Sequence, residues 1–244
     1  TGASRGAGAG IARALGAHGY TVYITGRTTQ TGTNPLPGTI GETAEQVTRL
    51  GGKGIAVCVD HHDDDEVAEL FARVRDEQGR LDILVNNAAA VTGDLVLKEP
   101  FWNKPISQVD IIDVGLRSSY IAGYHAAPLL IATPGSLVVF TSSFGATCYM
   151  HGPAYGAQKA GQDKMAADMA FDFKEFDIAA VSIWMGSLLT DRVRAIIASN
   201  PEKFGRILDT AETPELTGHV IWALYNDPDL MELTGQTLIG AELA

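Results

Sequence analysis

Tyr155 and Lys159 stand four residues apart in a stretch, 154–173, that patterns as a helix. A phenol and an ammonium therefore project from one helix face. A tyrosine hydroxyl ordinarily titrates at about 10, too high for an efficient base at neutral pH. A neighbouring ammonium favours the phenolate and lowers that value. Such a pair is suited to moving one proton to or from an oxygen atom. On spacing alone it describes equally well an amphipathic helix with a buried tyrosine and a lysine whose stem lies along apolar surface. That plainer reading prevails until other residues join the pair.

A second set opens the chain. Thr1-Gly2-Ala3-Ser4-Arg5-Gly6-Ala7-Gly8 precedes an alanine-rich helical pattern. Glycines allow a tight turn close to a pyrophosphate, and a following helix N-terminus offers N–H groups and a positive dipole end. A plain turn is the alternative. The strand pattern at 20–25 ends in Gly26-Arg27, where sheets that bind NAD carry an acidic residue for the ribose 2′-OH. With that acid missing, Arg5 and Arg27 could both face a 2′-phosphate, which points to NADP(H) rather than NAD(H). Taken singly, each arginine is equally an ordinary surface residue.

Other clusters carry less. His61-His62-Asp63-Asp64-Asp65 has the composition of a metal site, but its place after a strand pattern reads as a helix start with acids at the positive dipole end. No metal is expected. Cys58 and Cys148 form neither a disulfide framework nor a ligand spacing, and a reducing, cytoplasmic setting is expected. A net charge of -11 argues against nucleic acid as the main partner. A phosphorylated cofactor needs only a few local cations.

The elements that must position these groups alternate. Short, nearly continuous apolar runs at 20–25, 54–59, 81–85, 136–141, 178–183 and 236–239 read as strands covered on both faces. Helical patterns lie near 7–18, 42–50, 63–78, 107–130, 154–173 and 214–225. This predicts an α/β chain with a Rossmann-type, doubly wound parallel sheet in three layers, a single dinucleotide-binding domain over 1–244. A hydrophobic fraction of 45% is enough for one large core. No apolar run approaches the roughly 18 residues of a membrane span. Residues 28–40, with Pro35 and Pro37, read as an irregular excursion, and 89–105 as a second long connection carrying Phe101 and Trp102. The glycine turn should follow a strand, yet the chain opens at the turn itself. Both ends read as trimmed, which puts the stability of an isolated chain of this length in question.

Taken in order along nearly the whole chain, the motifs resemble the short-chain dehydrogenase/reductase family. They are the turn at residues 1–8, Asp60 after the third strand, Asn86-Asn87-Ala88-Ala89 after the fourth, Ser142-Ser143 after the fifth, and Tyr155-Gly156-Ala157-Gln158-Lys159. Gly26-Arg27, Phe101-Trp102, Asp113-Val114-Gly115-Leu116-Arg117 and the stretch 149–159 are similar to the subgroup called dehydrogenase/reductase member 1. The resemblance implies an NADP(H)-dependent oxidoreductase that interconverts a carbonyl and an alcohol. It also implies a homodimer or homotetramer built on the 154–173 helix.

The same resemblance implies roles. Gly2, Gly6 and Gly8 line the pyrophosphate, with Ser4 and Arg5 near the adenosine phosphate. Asp60 meets the adenine edge, and Asn86 and Ala88 flank the adenosine ribose. Thr190 holds the nicotinamide carboxamide after a loop that normally reads Pro-Gly but here reads Met185-Gly186, so more mobility is expected there. Tyr155 is the proton donor and acceptor, and Lys159 also holds the nicotinamide ribose. A serine bonds the substrate oxygen. Ser143 aligns with the family's residue, while Ser142 better keeps the usual spacing to the tyrosine. Asp113 matches an asparagine that relays protons from the lysine through water, and an ionised Asp113 near Lys159 would favour Tyr155 as an acid. Phe144, Tyr149, Met150, Trp102, Trp184 and Met185 suggest an apolar substrate or, equally, core and subunit contacts. His151 reads as incidental. Two other function classes stay open: a cofactor-binding regulatory protein that has lost turnover, and a sugar-nucleotide epimerase, which this length disfavours.

Overall fold

The computed structural model describes residues 1–244. In chain order its helices and strands are α1 (Gly6–Ala17), β1 (Thr21–Gly26), α2 (Ile40–Arg49), β2 (Lys53–Cys58), α3 (Asp64–Gln78), β3 (Ile83–Asn86), α4 (Asp110–Ile112), α5 (Ser118–Ile131), β4 (Leu137–Ser142), α6 (Pro153–Phe173), β5 (Ala179–Trp184), α7 (Asp191–Ser199), α8 (Pro201–Phe204), α9 (Leu216–Tyr225) and β6 (Thr237–Ile239). All strand pairings are parallel. They make two parallel sheets, β1-β2 and β3-β4-β5-β6, in the α/β arrangement that the alternation predicted.

The chain divides into two compact units. The first holds residues 1–60, 185–224 and 240–244. Its small core joins Ala3, Ala12, Ile24, Ile40, Ala44 and Val47, so α1 and α2 close over β1. Helix α2 starts at a capping box in which Thr39 Oγ1 accepts from the Glu42 N–H while Glu42 accepts from the Thr39 N–H. Two glycines let helices of this unit touch. A Cβ on Gly10 would fall 2.1 Å from the Pro214 carbonyl oxygen, and one on Gly218 2.9 Å from that of Ile11. Gly10 therefore serves packing rather than phosphate.

The second unit holds residues 61–184 and 225–239. Every residue of β4 is buried, as expected of an interior parallel strand. Its neighbours run in register with it, Val85 opposite Val139 and Val139 opposite Val181. Asp63 caps α3 by accepting from the N–H groups of Asp65 and Glu66, the role its position suggested. Gly79 ends α3 in the left-handed region. Pro153 opens the 21-residue helix α6 at its first turn, where no N–H is needed.

One predicted helix is not continuous. The pattern at 107–130 breaks into a 3-10 turn at Ile106–Val109, α4, a π-turn at Asp113–Arg117 and α5. Helices α7 and α8 were not anticipated. They are short, and they begin at side-chain caps on Thr190 and Asn200. No helix is long and apolar enough to cross a membrane.

Candidate active site

Strand β4 and helix α6 bring the proton-transfer groups together in the second unit. Ser143 lies just past the end of β4, and its Oγ is 2.9 Å from the Tyr155 hydroxyl oxygen. The Gly145 N–H donates to that same Oγ at 3.3 Å, which holds the serine in place. Ser142 is fully buried and donates instead to the Lys159 carbonyl at 3.3 Å. Alternation along an extended segment explains the split, because successive side chains point to opposite faces. Of the two serines, Ser143 is the one placed beside the phenol.

Lys159 is 6% exposed. Its ammonium donates to the Thr141 carbonyl at 2.8 Å and to Gln162 Oε1 at 3.1 Å, and lies 5.7 Å from the Tyr155 ring centroid. Burial pushes its pKa down to about 8, against a smaller upward pull from Asp163. Burial also raises the Tyr155 pKa; the Ser143 hydrogen bond acts the other way and Cys148 adds to the rise. In this state the phenol is a proton donor at neutral pH. The His151 ring meets the Tyr155 ring edge-on at 5.0 Å, and His151 sits in the left-handed region at φ 61°. Burial and then Lys104 depress the His151 pKa, which favours neutral imidazole. Sequence reasoning set His151 aside as incidental and gave Gly145, Gln158 and Gln162 no role. The two glutamines follow Tyr155 at i+3 and i+7, a signal that was available.

Asp113 lines an open cleft with His62, Asp63, Asp64, Asp65 and Arg117, and its charge helps to raise the Arg117 pKa. Within the π-turn the residue turned toward α6 is Gly115, whose carbonyl accepts from Gln162 Nε2 at 3.2 Å. A π-turn adds one residue to the helical period, which changes the face that each following side chain takes.

The first unit carries the turn and its neighbours. Gly2 and Gly6 adopt φ of 63° and 57°, which side-chain-bearing residues rarely take. Helix α1 begins without a side-chain cap and without an acid in its first turn, and Gly8 lies buried within it. Such a start suits an anion. Gly38 packs on the Ser4 carbonyl, where a Cβ would fall at 2.5 Å. Thr190 caps α7 by accepting from Val193, and a Cβ on Gly6 would sit 3.7 Å from its methyl. Arg5 donates to the carbonyls of Pro37 and Gly38 and to Thr28 Oγ1, so it anchors the 28–38 loop. The Arg27 side chain is 71% exposed and reaches Asp60 only at 3.5 Å. Of the two arginines, Arg27 is the more available.

The loop expected to be mobile for want of a proline is clamped. Both carboxylate oxygens of Glu212 accept from the Gly186 N–H at 3.2 Å, and residue 188 bridges residue 212 through the backbone. A Cβ on Gly186 would lie 2.3 Å from Glu212 Oε1, so a side chain there would push the carboxylate aside.

Asn86, at the end of β3, is 1% exposed and leaves both side-chain polar atoms without a partner. Buried amide groups rarely stay unpaired unless a ligand or water completes them. Ala88 is buried nearby in sequence. Within the first unit, the two left-handed glycines and the uncapped helix start fit the pyrophosphate of a dinucleotide.

A family model described as short chain dehydrogenase matches residues 1–201. The whole chain is 37% identical, over 255 aligned residues, to Dehydrogenase/reductase SDR family member 1 of Homo sapiens and covers 79% of that protein. The protein of the same name from Mus musculus matches at the same identity and coverage. Among solved structures, a short chain dehydrogenase from Mycobacterium thermoresistibile gives a TM-score of 0.83 at 24% identity, covering 99% of this chain and 83% of that one, a likeness of fold.

Proposed function

The chain belongs to the short-chain dehydrogenase/reductase family and is an NAD(P)-dependent oxidoreductase; from that premise we propose that it interconverts a carbonyl and an alcohol with NADP(H), using Tyr155 as the proton donor and acceptor. The observation that carries this reading is the Ser143–Tyr155–Lys159 set, with the serine hydroxyl 2.9 Å from the phenol and a buried ammonium on the same helix face. When bound, the cofactor supplies or accepts a hydride. Every other task falls to the chain.

In the reductive direction, Ser143 donates to the carbonyl oxygen of the substrate, its own oxygen held by the Gly145 N–H. Tyr155 gives its proton to the same oxygen as the adjacent carbon gains the hydride, and an alcohol results. The phenolate left behind is stabilised by the Lys159 ammonium and regains a proton from solvent. Two of the three Lys159 donors engage Thr141 and Gln162, which leaves one for a ribose hydroxyl. The raised Tyr155 pKa supports reduction as the favoured direction.

For the cofactor, Gly2, Gly6, Gly8 and the start of α1 are assigned to the pyrophosphate. Ser4, Arg5 and above all Arg27 are assigned to the 2′-phosphate, and Asp60 to the adenine. Asn86 and Ala88 take the adenosine ribose, and Gly186 and Thr190 the nicotinamide amide. Exposed Trp102, Phe144 and Tyr149 support an apolar substrate. Exposed Tyr120 and Tyr124 on α5 and Phe171 on α6 support a homo-oligomer.

NADPH oxidation over a panel of ketones and aldehydes tests the reading. Tyr155→Phe should lower kcat/KM by about a hundredfold to ten-thousandfold while NADPH still binds. A Tyr155→Phe protein as active as the wild type would sink it. A wild type that binds NADPH but turns over no carbonyl would favour the regulatory alternative.

A further inference from the structure

The π-turn places a residue without a side chain against the middle of α6. A Cβ on Gly115 would fall 2.3 Å from Gln158 Nε2 and 2.5 Å from its Cδ, so the Gln158 amide fills the space that a side chain at 115 would take. Gln158 is buried, and its Nε2 has no partner. One turn further along α6, Gln162 is 0% exposed. Its Oε1 accepts from the Lys159 ammonium at 3.1 Å, and its Nε2 donates to the Gly115 carbonyl at 3.2 Å. The amide has no alternative orientation, since an ammonium only donates and a carbonyl only accepts. The Gly115 carbonyl is itself fixed by Ser119 Oγ at 2.9 Å.

We propose that Gln162, braced on the Gly115 carbonyl, is a positioning residue for Lys159 and does in this chain what no side chain at position 115 can do. This deepens the catalytic reading above and rests on it. The bonded line runs from the Gly115 carbonyl through Gln162 to Lys159 and on to the Thr141 carbonyl. It fixes two donor directions of the ammonium and so aims the third. A π-turn at the bracing residue suits this task, because such turns present a carbonyl that a regular helix would keep for itself.

The charged surroundings of Lys159 are few. On α6 it neighbours Tyr155 and Asp163. From the loop before α6, Cys148 acts on Tyr155, and the His151 ring, with Lys104 beside it, meets the Tyr155 ring edge-on. Strand β4 presents only the Thr141 carbonyl and the Ser142 hydroxyl. The π-turn presents the Gly115 carbonyl, and its Asp113 and Arg117 belong to the cleft with Asp64. Gln162 is therefore the one side chain that accepts a hydrogen bond from this ammonium, and it favours the charged form.

The test reads the Lys159 titration directly, by NMR of the ε-carbon in the cofactor-free protein, with Lys159→Arg to assign the signal. Gln162→Leu should move the midpoint down by about one pH unit, and Gln162→Glu should move it up by about one. The alkaline limb of the pH profile for NADPH-dependent turnover should move in the same directions. Gln162→Glu keeps a polar group in place if the leucine variant fails to fold. A purely structural glutamine would lower the melting temperature in both variants and leave the midpoint where it was, and that result overturns the proposal. Because the titration needs no substrate, absence of turnover in the wild type would count against the catalytic reading and not against this wiring.

Discussion

Replacing Gly145 by alanine should displace Tyr155 from Ser143. A Cβ at position 145 would lie 2.5 Å from Tyr155 Cε1, 2.9 Å from Cδ1 and 3.3 Å from Ser143 Oγ. Carbon atoms rest about 3.5–4.0 Å apart, so the ring must move by about 1 Å. It has little freedom to do so harmlessly, with the His151 ring 5.0 Å away edge-on and Lys159 Nζ 5.7 Å from its centroid. The Ser143–Tyr155 distance, 2.9 Å in the native chain, would then pass the hydrogen-bonding limit. A misplacement of about 1 Å at a reacting group can reduce turnover about a hundredfold, or about 2.7 kcal/mol of transition-state stabilisation. Overpacking should also lower fold stability by about 1–3 kcal/mol. The assay is kcat/KM with NADPH and a carbonyl substrate, beside NADPH affinity by fluorescence and a thermal melt. Affinity should be nearly unchanged, because the turn residues lie elsewhere in the chain. A variant with kcat/KM within about threefold of the wild type would refute the reasoning, since the phenol would then not depend on the geometry described.

Three further outcomes follow from particular contacts. Lys159 titrates at about 8 in the folded chain, below its ordinary 10.5, so the unfolded chain binds more protons between these values and stability rises with pH across that window. Denaturation at a series of pH values should give the wild type about 3 kcal/mol more of this rise than Lys159→Met; equal slopes would contradict it. Glu212→Ala removes both acceptors of the Gly186 N–H. Amide exchange at Gly186 should then quicken and the KM for cofactor rise about fivefold, whereas unchanged exchange would argue against a clamp. Arg27→Asp should reverse cofactor choice, lowering kcat/KM for NADPH about a hundredfold relative to NADH. Retained NADPH preference would shift the 2′-phosphate to Arg5.

Much of the fold was readable from local pattern. The uninterrupted apolar run of β4, the Thr39–Glu42 box of α2 and the Asp63 start of α3 each depend on neighbours in the chain, and local physics sets them. The pairing of Tyr155 with Lys159 was readable for the same reason, since helical geometry alone puts residues i and i+4 on one face. The strand order β3-β4-β5-β6 was not, because pairing is decided between segments distant in sequence.

The choice between Ser142 and Ser143 needed the β4 end and α6 together. One hydroxyl is turned inward to the Lys159 carbonyl and the other outward to the phenol. The pattern at 107–130 hid a π-turn, whose extra residue rotates the helix face and puts Gly115 against α6. The family resemblance revealed that Met185 stands where a proline is usual, yet not that Glu212, 26 positions after Gly186, bonds the loop instead. The sequence by itself therefore determined which chemical groups are present and which share a local face. Tertiary packing decided where each one points, because the helix register, the strand-end twist and the long-range clamp are set by contacts that no short window of the chain contains.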